Sequence, residues 1–122
     1  MLMKTKLTLL FTLLVLTTRL FAGAVSVPIA SGATVTTIQT AMSDAVAATN
    51  TDITLQFAKG GTWGSVGTDL TIAVPAGVTK LTFTYDPATT GATPVLYLNT
   101  LTYVDGLMTD GIVFDGVKLI TA

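Results

Sequence analysis

The chain has no cysteine, no histidine and no glutamate, and its single arginine is Arg19. Without cysteine there is no disulfide framework, no thiolate nucleophile and no lipid-modified cysteine to hold the chain at a membrane. Without histidine there is no Ser-His-Asp triad and no imidazole ligand for zinc. Without glutamate, acid–base work on a glycosidic bond would fall to aspartates alone. Charge is also scarce, at 11% of 122 residues, and none of it is clustered into the basic patch that nucleic acid requires. No cofactor motif is present, and no cofactor is expected.

What is present begins with an export signal. Lys4 and Lys6 precede an apolar stretch from Leu7 to Leu16, and "RLFAGAV" follows with Ala22 and Ala24 as small residues at positions −3 and −1. That arrangement predicts a signal peptide over 1–24, cleaved after Ala24, with a cut after Ala22 as second choice. Spanning a bilayer takes about 20 apolar residues. Thr17, Thr18 and Arg19 end the run too soon for that. The mature chain, 25–122, is then secreted or displayed at the cell surface, with no membrane partner after cleavage. It keeps three lysines against seven aspartates, a formal charge of −4. That sign repels anionic membranes and nucleic acid.

From Thr34, "TVTTIQTAMSDAVAATNTD" sets Ile38, Ala41, Met42, Ala45 and Val46 on one helical face. Thr36 or Thr37 is expected to cap its start, and Asn50 to leave it in a left-handed conformation. After Asn50 the period becomes two. "DITLQFA", "DLTIAVPAG", "KLTFTYDP", "PVLYL" and "GIVFDGVKLI" read as strands starting near 53, 70, 81, 95 and 112, separated by Gly, Pro and Asp turns. Ile53, Leu55 and Phe57 share a face, as do Leu70, Ile72 and Val74, and Leu81, Phe83 and Tyr85. No Asn-Gly hairpin signal occurs. Short strands joined by turns that bend the chain without reversing it suit a coil of parallel strands, a β-solenoid, mostly β with one capping helix. A small antiparallel sandwich is the competing architecture.

In this order, the helix, "DITLQFAKGGTW", "LTIAVPAGVTKLTFTYDPATTGATPVLYL" and "GIVFDGVKLI" resemble the amino-terminal portion of secreted bacterial proteins of the pectin-lyase-like, right-handed parallel β-helix superfamily. The resemblance covers nearly all of residues 34–120. It implies a helix plugging the open end of the coil, further coils after residue 122, and polysaccharide as the ligand. It carries over no catalytic residue, because the family's working Asp, Arg and Lys residues lie on later coils and this chain has no Arg after Arg19. The expected function is therefore binding or processing of polysaccharide by a secreted β-helix, with a structural or adhesive solenoid as the alternative. The strand edge at "GIVFDGVKLITA" is expected to meet further coils of its own chain or another copy.

Trp63, in "KGGTWGSVG", is the candidate substrate-binding residue: an exposed indole there would stack on a sugar ring, whereas a buried one would cover the helix and first coil. Tyr85, Tyr97 and Tyr103 offer similar ring stacking, or serve as core edges with a wet hydroxyl. Asp105, Asp110 and Asp115 each precede a glycine and form no known calcium loop, so they read as turn punctuation and no metal site is expected. Their five-residue spacing faintly suggests a pentapeptide coil that the earlier strands do not share. Lys59, Lys80 and Lys118 read as isolated solvated charges.

Overall fold

The computed structural model describes residues 23–104 and 106–121, so the predicted signal peptide falls outside it save for Gly23 and Ala24. The described residues form β1 (Gly23–Ile29), α1 (Val35–Ala47), β2 (Asn50–Phe57), β3 (Thr62–Trp63), β4 (Leu70–Ala73), β5 (Lys80–Tyr85), β6 (Val95–Thr102), β7 (Gly111–Phe114) and β8 (Lys118–Ile120). The described residues are mostly β, with one helix and parallel sheets that do not close into a barrel.

Every pairing between these strands is parallel, which removes the antiparallel sandwich. One sheet has the order β1-β2-β5-β7, and a second is centred on β6, with β3, β4 and β8 as its neighbours. In the first sheet Val25, Ile53, Leu81 and Ile112 stand in one column, at steps of 28, 28 and 31 residues. In the second, Trp63, Leu96 and Leu119 are stacked, and Ile72 lies beside Leu101. The long strand β6 serves two neighbours, its first half pairing with β3 and its second with β4, and the register shifts between Leu98 and Thr100. The spacing near 30 rules out a five-residue beat.

Period-two alternation explains which side is dry. Ile53, Leu55, Phe57, Leu81 and Phe83 are buried, and so are Leu70, Ile72, Leu96 and Leu98 of the other sheet. Phe57, Phe83 and Phe114 stack with centroids 6.0 and 4.7 Å apart, an aromatic file running along the core. Burying each large side chain contributes about 1.5–3 kcal/mol, and stacked aromatics add about 0.5–1.5 kcal/mol. Outward positions carry Ser26, Thr54 and Thr82 in register, and the column ends at the apolar Val113.

Helix α1 follows the expected stripe, burying Ile38, Met42 and Ala45. Its caps differ from expectation. Thr34 is the N-cap, its Oγ1 accepting from the Thr37 N–H at 3.2 Å. The left-handed residue is Thr49, at φ 67°, rather than Asn50. Asn50 is already the first residue of β2, facing Gly23 of β1, and from there its Nδ2 donates to the Ala45 carbonyl. The strand β1 was not anticipated, although Val25, Val27 and Ile29 alternate. Because β1 starts at Gly23, cleavage after Ala24 would remove two of its residues, and cleavage after Ala22 would leave it whole.

Candidate binding cleft at the strand corner

Strands β2, β5 and β7 end at the same corner, and the chain turns there through 58–61, 86–94 and 115–117 before entering β3, β6 and β8. Backbone hydrogen bonds tie these turns together. Gly60 N–H donates to Ala92 O at 2.6 Å, Val95 N–H to Gly61 O at 3.1 Å, and Lys118 N–H to Pro94 O at 2.8 Å. Lys59 N–H donates to Thr89 Oγ1 at 2.8 Å. The turn carrying Thr89 is shaped by Asp86, whose Oδ1 accepts from Ala88 N–H and whose carbonyl accepts from the Thr89 hydroxyl. Gly91, at φ 129°, lies so close to Gly60 that a Cβ on it would come within 3.3 Å of the Gly60 backbone.

The three turns enclose an open cleft of about 260 Å³ lined by Lys59, Tyr85, Gly91, Thr93, Pro94 and Gly116. Tyr85 is its floor. The Lys59 ammonium sits 4.6 Å from the centroid of the phenol ring, a cation–π contact. Gly116 lies against the same ring: a Cβ there would fall 2.5 Å from Tyr85 Cδ1, so only glycine lets the ring lie as it does. Although Tyr85 stands in register with the buried Phe57, it is 38% exposed. The cleft thus joins an exposed phenol, one cation, a threonine hydroxyl and a proline face. It suits a single polar ring held by stacking and hydrogen bonds, since clefts for larger ligands start at about 300 Å³. Its lining holds no carboxylate, and so no acid–base pair for cleaving a glycosidic bond.

Trp63 is elsewhere, and of the two readings of it the buried one holds rather than the exposed sugar platform. It is 2% exposed, with its ring packed edge-on against Phe57 at 4.9 Å. Gly61 makes the room, because a Cβ at that position would meet the indole Cη2 at 2.5 Å. The Nε1–H of Trp63 is buried and finds no acceptor among the described residues. Of the tyrosines, Tyr85 forms the cleft described above, Tyr97 borders a smaller one of about 130 Å³ with Asp69 and Ile120, and Tyr103 is exposed and lines neither. Asp110 and Asp115 precede Gly111 and Gly116, both at positive φ, and Asp105 lies outside the described residues. Among the described residues no three acidic groups converge as a metal site would require.

Lys59 was missed as a site residue. The signal for it was the 28-residue step: Phe57 stands over Tyr85, so a side chain two residues past Phe57 reaches the ring. The roles of Gly91, Thr93 and Pro94 depend on the path of a nine-residue turn, which no spacing rule predicts. No family model, no curated protein and no solved structure matches this chain.

Proposed function

We propose that this chain is the N-terminal cap and first coils of a secreted or cell-surface right-handed parallel β-helix that binds or processes polysaccharide, with the corner cleft as a subsite for one sugar ring. Residues 1–24 act as its export signal. The observation that carries the polysaccharide reading is the Tyr85 ring, exposed on the floor of a cleft whose walls are hydrogen-bonded to one another. Sugars bind to such rings through their C–H faces while their hydroxyls take up neighbouring donors and acceptors; here Lys59, whose ammonium rests over the ring, has to swing off it for a sugar to stack, and then meets a hydroxyl together with Thr93. Parallel columns repeating at 28–31 residues support the β-helix reading, and with it the resemblance to the pectin-lyase-like superfamily. Chemistry on the glycan requires residues outside this cleft, so the part played here is binding.

A structural or adhesive stack is the second reading, favoured by the outward file of Ser26, Thr54 and Thr82. The bare edges of β7 and β8 suit further coils of the same chain or another copy of it.

Titration calorimetry against neutral and acidic oligosaccharides separates the readings. Binding by the native protein, weakened about tenfold or more in Tyr85→Ala with the circular dichroism unchanged, supports the sugar subsite; one lost stacking contact is worth about 1–3 kcal/mol, comparable to base–aromatic stacking. Absence of binding to every oligosaccharide supports the structural reading instead.

A further inference from the structure

Gly23 opens β1, and more converges on it than on an ordinary strand start. Its N–H donates at 3.3 Å to the carbonyl of Thr49, two residues past the end of α1. Thr49 is the left-handed residue of that turn, and Asn50 follows it. Asn50 Nδ2 donates to the Ala45 carbonyl at 3.2 Å, which turns Oδ1 the other way, onto Gly23. A Cβ at position 23 would come within 2.5 Å of that oxygen, so only glycine fits. Two acceptor oxygens, one from the backbone and one from a side chain, therefore stand beside one glycine. They lie at the C-terminal end of a helix whose last turn carries no basic residue. That end bears the negative pole of the helix dipole and favours a cation.

We infer that the export signal is cut after Ala22, and that the new N-terminus, the ammonium of Gly23, is the cation held at the end of α1. This cut rests on reading the start of the chain as an export signal, and it falls two residues earlier than the A-x-A spacing of Ala22 and Ala24 places it. Ala22 still supplies the small residue at −1, with Leu20 at −3. Hydrolysis of the Ala22–Gly23 amide consumes one water: the C–N bond breaks, Ala22 leaves as a carboxylate bearing the water's oxygen, and the Gly23 nitrogen becomes an ammonium. An amide N–H has one proton to offer Thr49 O. An ammonium has three, enough for Thr49 O and Asn50 Oδ1 together, and bonds from a charged donor are the stronger ones. A cut after Ala24 forfeits all of this. It removes the donor to Thr49 and the pairing of Ala24 with Asp52, and puts the new charge on Val25, which stands over Ile53 and packs against the core. The close fit of Gly23 against Asn50 serves the folded protein only if residue 23 stays in it.

Intact mass and N-terminal sequencing of the protein, purified as the producing cell exports it, are expected to give a chain that begins at Gly23. Ala24→Leu spoils the residue next to the later cut and is expected to leave the start at Gly23; Ala24 is exposed in β1, so the fold accepts the larger side chain. Gly23→Ala, with its N-terminus checked by mass, separates a retained residue from a discarded one. Retained, its Cβ displaces Asn50 and breaks the bond to Ala45, and the melting temperature is expected to fall by about 2–4 °C. Discarded with the signal, it leaves the variant and native proteins as the same molecule, and they melt together. A chain beginning at Val25, or a Gly23→Ala protein that melts with the native one, overturns the inference and leaves the export signal standing. A leader kept whole on the exported protein overturns both. The sugar subsite is untouched by either result.

Discussion

Trp63 contributes a large apolar surface and at the same time carries a cost, because its buried N–H meets no acceptor among the described residues. The two effects separate on substitution. Trp63→Phe keeps most of the contact with Phe57 and removes the unmatched donor, whose burial costs about 1–3 kcal/mol, so the net change is expected to stay within about 1 kcal/mol. Trp63→Ala removes the indole from a closed core and is expected to cost about 3–5 kcal/mol. Urea denaturation of the three proteins measures both. A Phe variant as damaged as the Ala variant would mean that the N–H is satisfied after all. The same residue marks a limit of sequence reading: a glycine-rich corner followed by an aromatic has the same letters whether the ring faces out or in. What decides is Gly61, where the absence of a Cβ opens the slot that the indole enters.

Among the elements, α1 does two jobs with different residues. Ile38, Met42 and Ala45 cover apolar strand ends, and Gln39 supplies the hydrogen bonds that a further strand would have given to β4. Each bond contributes about 0.5–1.5 kcal/mol net, and water can reach this edge, so Gln39→Leu is expected to cost about 1 kcal/mol, near the low end for a pair. Gln39→Glu is expected to do at least as much harm at neutral pH, because a carboxylate accepts from Ala73 N–H but then sets its second oxygen against the Ala73 carbonyl. Thermal melts of both variants beside the native protein test this, and an unchanged melting temperature in both would show that the edge is solvated rather than capped. The helix itself was legible, since its 3.6-residue stripe is a property of consecutive residues. Strands β2, β4, β5, β6 and β7 were legible for the same reason, through alternation. Gln39 was not, because its partner Ala73 is 34 residues away and lies in another element. Likewise β3 is only two residues long, too short to show a period, and is a strand because β6 lies beside it. In β1, alternation was present in Val25, Val27 and Ile29, but it starts where the export signal was expected to end, and the signal took precedence.

Across the whole molecule, the columns of side chains make stability a matter of position along the stack. A strand held between two neighbours opens only if two sets of hydrogen bonds break, whereas a terminal strand loses one. Strand β5 lies between β2 and β7 and carries the fully buried Leu81 and Phe83. Among the described residues β7 has a neighbour on one side only, and its Val113 and Phe114 are partly in solvent. Native-state hydrogen exchange is therefore expected to give the slowest amides in β2 and β5, and the fastest strand amides in β7 and β8. At the other end, β1 is also terminal in its sheet, but α1 packs against β1, β2 and β4, and the Thr34 cap holds the first turn of that helix. Protection there is expected to fall off less steeply than at β7. Uniform exchange across all eight strands would mean that the stack opens as one cooperative unit, and position along it would then carry no energetic meaning.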